Sequence, residues 1–389
     1  MILQITGIIC EYNPFHLGHQ KQIHIIRNRL GTEGGIVCLM SGNFVQRGYP
    51  AIIDKMARAK AAVDCGADLV LELPVTAALS SAEGFAAGGV QILSKLCDHL
   101  CFGAEDGACA HITDIAKALL SDQFPAVLHE QLEKGLSFPA ARQQALQKMG
   151  LDSRLLEKPN NILAVEYCKA ILAQNVAMQP MPILREGNYH DTAADADNPS
   201  ATSIRQLMVD KDNYMDFLPE TAQPTVANAA QHSLQTAEHA ILYRLRTMTE
   251  DEFQALPYGS EGLWRKLMHA SRECSTLEEI ILATKSKRYT RTRIDRMIMC
   301  AFLGLTAEDM ISPIPYCRIL ALNDKGRAIL KSCKDKEFFI NIGTDTKQPY
   351  QELERRMTAL YGLFADQTEP PDRERNYRVY YKKEQPYEF

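Results

Sequence analysis

The chain has 389 residues, 46% of them hydrophobic and 23% charged, with a formal net charge of −5. That length suggests two domains or three, each able to bury a core, and the composition excludes a wholly disordered or fibrous chain. No apolar run approaches the roughly 20 residues that a membrane-spanning helix needs. The opening MILQITGIIC has no basic n-region and reads as a strand rather than a secretion signal. Eleven cysteines lie scattered among apolar segments, as at Cys38, Cys65 and Cys168, which is the usage of a reducing cytosol. A soluble cytoplasmic protein is expected.

Taken in chain order, Ile5–Ile9 reads as a buried strand, Gly18–Leu30 as a helix and Gly35–Met40 as a second strand. Ile53–Cys65 reads as a helix, Asp68–Leu73 as a third strand, Ala82–Leu96 as a helix and His99–Phe102 as a fourth strand. Ile23, Ile26 and Leu30 are spaced three and four apart, so one helix face can pack on a sheet. Apolar strands alternating with helices predict a Rossmann-like parallel α/β sheet covered on both faces. Its ligand belongs beyond the carboxyl ends of the strands. The pattern is helical from about 107 to 180, Met181–Arg185 is a further strand, and Gly187–Ser200 is a polar loop with few apolar anchors. Helices then dominate through Ala240–Thr247, Leu277–Ala283 and Ile294–Leu303, before strand candidates at Arg318–Leu322 and Phe338–Ile342. Pro219 and Pro224 interrupt the pattern, which divides the chain into an α/β domain over 1–220 and a mainly α-helical C-terminal domain over 221–389.

The most informative stretch follows the first strand: Glu11-Tyr-Asn-Pro-Phe-His16-Leu-Gly18-His19. Gly18 lets a ligand approach the backbone, the helix start offers unpaired N–H groups to an anion, and His16 and His19 add donors or cations there. Such a set suits a triphosphate attacked at its α-phosphorus, where charge builds on oxygen in the transition state. By itself His-x-Gly-His is as well explained by a buried turn at a helix start; its place after the first strand of an α/β pattern favours a site. In that place it resembles the signature of the nucleotidyltransferase superfamily. Ser200-Ala-Thr202-Ser203-Ile-Arg205 is similar to a second motif of that superfamily, with Ala201 where a serine is usual. Thr202 or Ser203 would cap a helix and Arg205 would reach the β- and γ-phosphates.

Met40-Ser-Gly-Asn-Phe-Val-Gln-Arg-Gly48, Leu71-Glu-Leu-Pro74, Phe102-Gly-Ala-Glu105, Pro159-Asn-Asn-Ile-Leu163 and Thr284-Lys-Ser-Lys-Arg-Tyr-Thr290 narrow the resemblance to the bacterial tRNA(Met) cytidine acetate ligases. That resemblance implies an enzyme that makes acetyl-adenylate from ATP and acetate, then acetylates N4 of the wobble cytidine of elongator tRNA(Met). It implies His16, His19 and Arg205 as catalytic contacts. An ATP site would run through Gly7, Ile8, Ile9, Cys10, Glu11, Tyr12, Asn13, Pro14, Phe15, His16, Leu17, Gly18, His19 and Gln20, and would be completed by Gly103, Asn161, Arg185, Thr202 and Ser203. Lys21 is a further cation on the same helix. For Gly103 the plain alternative is a strand-end turn, for Asn160 and Asn161 helix capping, and for Arg185 a surface arginine.

The Ser41–Gly48 loop is expected to shape the acceptor or acetate site, with a purely structural loop as the alternative. Arg58 points to the site or pairs with Asp54 at i, i+4. A basic cluster at Lys285, Lys287, Arg288, Arg291 and Arg293, with Arg296 beyond and Tyr289 available for base stacking, is expected to contact tRNA; ordinarily such a run is a solvated helix face. Mg²⁺ is expected with ATP. Cys97, His99, Cys101, Cys109 and His111 fit no common zinc spacing, and no protein metal site is expected. Two rivals remain: a small-molecule adenylyl- or cytidylyltransferase, and a non-catalytic RNA-binding protein on a nucleotide-binding fold.

Overall fold

The computed structural model describes residues 4–31, 33–105, 109–184 and 200–383. Its strands are β1 (Ile5–Cys10), β2 (Gly35–Ser41), β3 (Phe44–Val45), β4 (Tyr49–Pro50), β5 (Leu69–Leu73), β6 (His99–Ala104), β7 (Gln179–Leu184), β8 (Cys317–Leu322), β9 (Phe339–Asn341) and β10 (Tyr380–Tyr381). The main sheet runs β10-β8-β5-β2-β1-β6-β7, with β9 also paired to β8, and every pairing is parallel except β5 with β8. The β1–β2 register runs from Ile5 opposite Gly35 to Cys10 opposite Met40, so both strands end at the same level.

Alternation along β2 explains the layering. Ile36, Cys38 and Met40 point to one core with Ile23 and Ile26 of the Leu17–Leu30 helix; Val37 and Leu39 point to another with Val90, Leu93 and Ala164. A third core is helical, built by Ile241, Leu267, Ile280 and Ile298 and joined by Phe44 from the β3–β4 hairpin. Among the described residues no helix is long and apolar enough to cross a membrane.

The domain boundary expected near 220 does not separate sheet from helices. The chain returns after the Ala307–Ile311 helix and lays β8 against β5, with β9 and β10 beside it. A cluster of buried charges locks this return. Lys55 Nζ donates to Glu72 (3.0 Å) and to Glu374 (3.0 Å), and Arg318 reaches Glu72 (2.7 Å), Glu354 (3.3 Å) and Glu374. Two cations thus face three carboxylates. Burial pulls Lys55 down to about 8 and pushes Glu354 up from its ordinary value. The paired geometry supplies the compensation that buried charges require.

Candidate active site

A cavity of about 1030 Å³ opens beyond the carboxyl ends of β1 and β6. Its walls hold Ile8, Ile9, Cys10, Glu11, Tyr12, Asn13, His16, Gly18, His19 and Lys21 from the first strand–helix junction, and Gly103 from β6. Phe85 and Tyr167 form an apolar flank, and Thr202 and Arg205 enter from the Ala201–Asp210 helix. The strand ends therefore bring residues of both sequence motifs to one cavity, from segments nearly 200 residues apart.

His16 is the N-cap of the Leu17–Leu30 helix. Its Nδ1 accepts from Gly18 N (3.1 Å), while His19 Nδ1 accepts from His16 N (3.3 Å), a capping box made of two imidazoles. The rings stack with centroids 3.7 Å apart. With both Nδ1 atoms accepting, a neutral ring carries its proton on Nε2. Each histidine thus holds the helix start with one nitrogen and has the other as donor. Arg205 is cross-braced to this loop: one Nη donates to Asn13 O (2.8 Å) and the other to Thr202 Oγ1 (3.1 Å).

Several expectations shift. The cap of the Ala201–Asp210 helix is Ser200, whose Oγ accepts from Ser203 N (3.0 Å), rather than Thr202 or Ser203. The Ser203 hydroxyl is buried and donates to Ser200 O (2.9 Å), so it is spent on the cap; Ser200 and Ala201 line the cavity instead. Asn161 is buried behind the wall. Its Oδ1 accepts from Glu105 N (2.9 Å), and Asn160, whose Nδ2 donates to Glu105 Oε1 (2.6 Å), is the cavity neighbour. Within the expected 7–20 span, Gly7, Pro14, Phe15, Leu17 and Gln20 do not line the cavity. An added Cβ on Gly7 would sit 2.8 Å from Leu93, and Phe15 is in the core, so these residues shape the loop from behind. Arg185 lies outside the described residues, as does the polar stretch up to 199.

Arg58 neither reaches the cavity nor pairs with Asp54. It is fully buried and donates to Ile53 O (3.0 Å), Glu11 O (2.7 Å), Ser41 O (3.0 Å) and Gly42 O. Burial lowers its pKa from the ordinary arginine value. It ties the loop after β1 to the loop after β2, and Gln46 N reinforces the tie by donating to Glu11 Oε1 (3.0 Å).

The Ser41–Gly48 loop leads Gln46 and Arg47 to the cavity wall and rests on the Arg291–Leu303 helix. Gly48 has φ +86, and a Cβ there would lie 2.5 Å from Arg296 N, so only glycine fits without moving the helix. Tyr49 Oη donates to Asp295 Oδ2 (2.6 Å); burial and then that carboxylate push the Tyr49 phenol up to about 12. Gly48→Ala is expected to cost about 1–3 kcal/mol through strain and displacement of the loop. A thermal melt checks this: an unshifted midpoint would mean that the loop does not bear on the helix.

Of the basic cluster, Lys285, Lys287 and Arg288 are exposed. Arg291 is engaged by Glu278 (2.6 Å), and Arg293 donates to Tyr258 O (2.9 Å) and Ser260 Oγ (2.8 Å). Tyr289 is buried, with its hydroxyl donating to Glu261 O (2.5 Å), and has no face for a base. Its apolar ring fills the helical core, which outweighed the stacking role expected from its basic neighbours. Sequence reasoning also missed what only the fold reveals: Thr292 and Arg296 of the same helix line the cavity, as do Phe138 and Arg142.

The family model for HIGH Nucleotidyl Transferase matches residues 3–376. A tRNA(Met) cytidine acetate ligase of Clostridium perfringens (strain SM101 / Type A) is 36% identical over 93% of this chain and 95% of its own length. The chain belongs to the tRNA(Met) cytidine acetate ligase family. The apo crystal structure of Thermotoga maritima TmcAL superposes on this family member with a TM-score of 0.90 at 29% identity, covering 98% of this chain and all of that one. The form of the same family protein bound with alpha-thio ATP matches with a TM-score of 0.86 at 29% identity over the same shares.

Proposed function

We propose that the protein is an ATP-dependent acetate ligase that acetylates N4 of the wobble cytidine of elongator tRNA(Met) in the cytoplasm. The observation that carries this reading is the union, in one cavity, of the stacked His16–His19 pair and Arg205 with a wall from the helix that follows the exposed Lys285–Arg288 segment. In the first step an acetate oxygen attacks the α-phosphorus of ATP and pyrophosphate leaves. His16 and His19 donate to the phosphate oxygens as charge builds, and Arg205 receives the leaving group. In the second step the cytidine N4 attacks the acetyl carbon, AMP leaves with the bonding electrons, and N4 loses one proton. Positioning of a dry acyl-adenylate supplies a large share of the rate, roughly 7–11 kcal/mol in favourable systems. Among the described residues, Glu11 is the sole carboxylate lining the cavity, and its Oε1 already accepts from Gln46 N. The donor set therefore suits Mg²⁺ arriving on the triphosphate, as Mg-ATP, better than a cation held by a ring of acids.

The test is transfer of label from ¹⁴C-acetate to bulk bacterial tRNA with Mg-ATP. Label in acid-precipitable tRNA that needs ATP and His19 is the expected result. No label, with ATP still split to AMP and pyrophosphate when other acids are supplied, would make the protein a small-molecule nucleotidyltransferase. Filter binding of labelled tRNA checks the basic segment. Lys287→Glu with Arg288→Glu is expected to weaken tRNA binding about tenfold or more at 0.1 M salt, far beyond any effect on ATP. Equal tRNA affinity in that double variant would remove the segment from the interface.

A further inference from the structure

Thr292 and Arg296 are four apart on the Arg291–Leu303 helix, on one face, and both line the cavity. The Arg296 guanidinium sits over the Tyr258 ring, 5.2 Å from its centroid. Yet its Nε is buried with no hydrogen-bond partner, and among the described residues no carboxylate is ion-paired with it. The nearest acid in sequence, Asp295, is turned to Tyr49 (2.6 Å) and Arg291 (3.7 Å). Other arginines around the cavity are engaged: Arg142 with Glu166 (2.8 Å) and Arg205 with Asn13 O (2.8 Å).

A half-buried guanidinium kept without an anion is an oxyanion seat, because desolvation strengthens a charge-assisted hydrogen bond to an incoming ligand. Two features favour a polyanion over a lone small carboxylate. The helix is entered through Lys285, Lys287 and Arg288, which are exposed, so positive charge runs from the surface along one chain segment into the cavity. Gly48 also seats on the backbone of Arg296, which brings the Arg47 loop to the same wall.

We infer that Arg296, with Thr292 one turn before it, seats a backbone phosphate of the RNA strand beside the nucleotide to be modified. The inference rests on the tRNA-acetylation reading above and assigns a register-setting contact within it. A fixed phosphate determines which base reaches the acyl group, since phosphate contacts position a strand while base contacts identify it.

The experiment uses the full chain and its Arg296→Gln, Arg296→Lys and Thr292→Val variants. Initial rates of tRNA labelling are measured against tRNA, ATP and acetate at several salt concentrations, beside acetate-dependent exchange of pyrophosphate into ATP without RNA. In Arg296→Gln the KM for tRNA is expected to rise about tenfold and the salt slope to shrink by about one, well beyond any change in the KM for ATP or acetate. Arg296→Lys recovers most of the slope. Thr292→Val, at an exposed position where folding is safe, raises the KM for tRNA about threefold. A raised KM for acetate with tRNA kinetics unchanged would make Arg296 a carboxylate-binding residue and overturn the inference. Unchanged tRNA kinetics in both Arg296→Gln and Thr292→Val would overturn it too. A wild-type protein that exchanges pyrophosphate but labels no tRNA would overturn the proposed function and this inference with it.

Discussion

His19→Ala lowers acetate-dependent exchange of pyrophosphate into ATP by an expected 10²–10³-fold, about the loss seen when one donor to a developing oxyanion is removed. Two roles contribute. The ring accepts from His16 N (3.3 Å) and stacks on His16, and in the proposed reaction its other nitrogen is the donor to the phosphate in the cavity that both histidines line. His19→Asn separates them, because a side-chain amide can still accept from His16 N without the distal imidazole N–H. If Asn restores the helix start but not exchange, the donor is what matters for chemistry. Exchange within threefold of wild type in His19→Ala would sink the role altogether.

The second large effect belongs to Arg58, a residue that touches no ligand. Four carbonyl oxygens depend on it, two of them at Glu11 and Ser41 where β1 and β2 hand over to the site loops. Arg58→Met leaves these acceptors buried without donors, each at about 1–3 kcal/mol, so a loss on the order of 4 kcal/mol or more is expected. Arg58→Lys recovers less than half, since one ammonium cannot match a planar fork that reaches carbonyls on three segments. Urea denaturation with the fitted midpoint is the measurement. A midpoint unmoved in Arg58→Met would mean that water or a rearranged loop satisfies those carbonyls.

The parallel half of the sheet was legible because β1, β2, β5 and β6 are apolar runs between amphipathic helices, and the His16–His19 motif sits where such a sheet places ligands. What stayed hidden depends on tertiary partners. The β3–β4 hairpin has two residues per strand and no periodicity to read. β8 has a clear strand pattern, but nothing local says that it runs antiparallel beside β5. Ser200 outcompeted Thr202 and Ser203 as a cap because a single residue of offset decides which hydroxyl meets an unpaired N–H. The same kind of offset put Asn160 rather than Asn161 on the cavity wall. Arg58 and Arg296 look alike as helical arginines, yet one is consumed by carbonyls while the Nε of the other has no hydrogen-bond partner among the described residues; only the fold distinguishes them.

The late return of the chain to its sheet bears on how the protein is made. All five residues of Leu69–Leu73 are buried in the finished molecule, and the strand that covers their outer edge begins only at Cys317. At ~5–20 residues per second, a ribosome takes on the order of 10–50 s to deliver that partner. If the earlier strands pair within that interval, the outer edge of Leu69–Leu73 stays without its partner, the kind of template on which neighbouring chains aggregate. A chain that stops after the Ala307–Ile311 helix would keep the edge open permanently, with Glu72 buried near Lys55 but stripped of Arg318. Insolubility of such a truncation, read as loss from the soluble fraction after expression, is the outcome expected from the order of the strands.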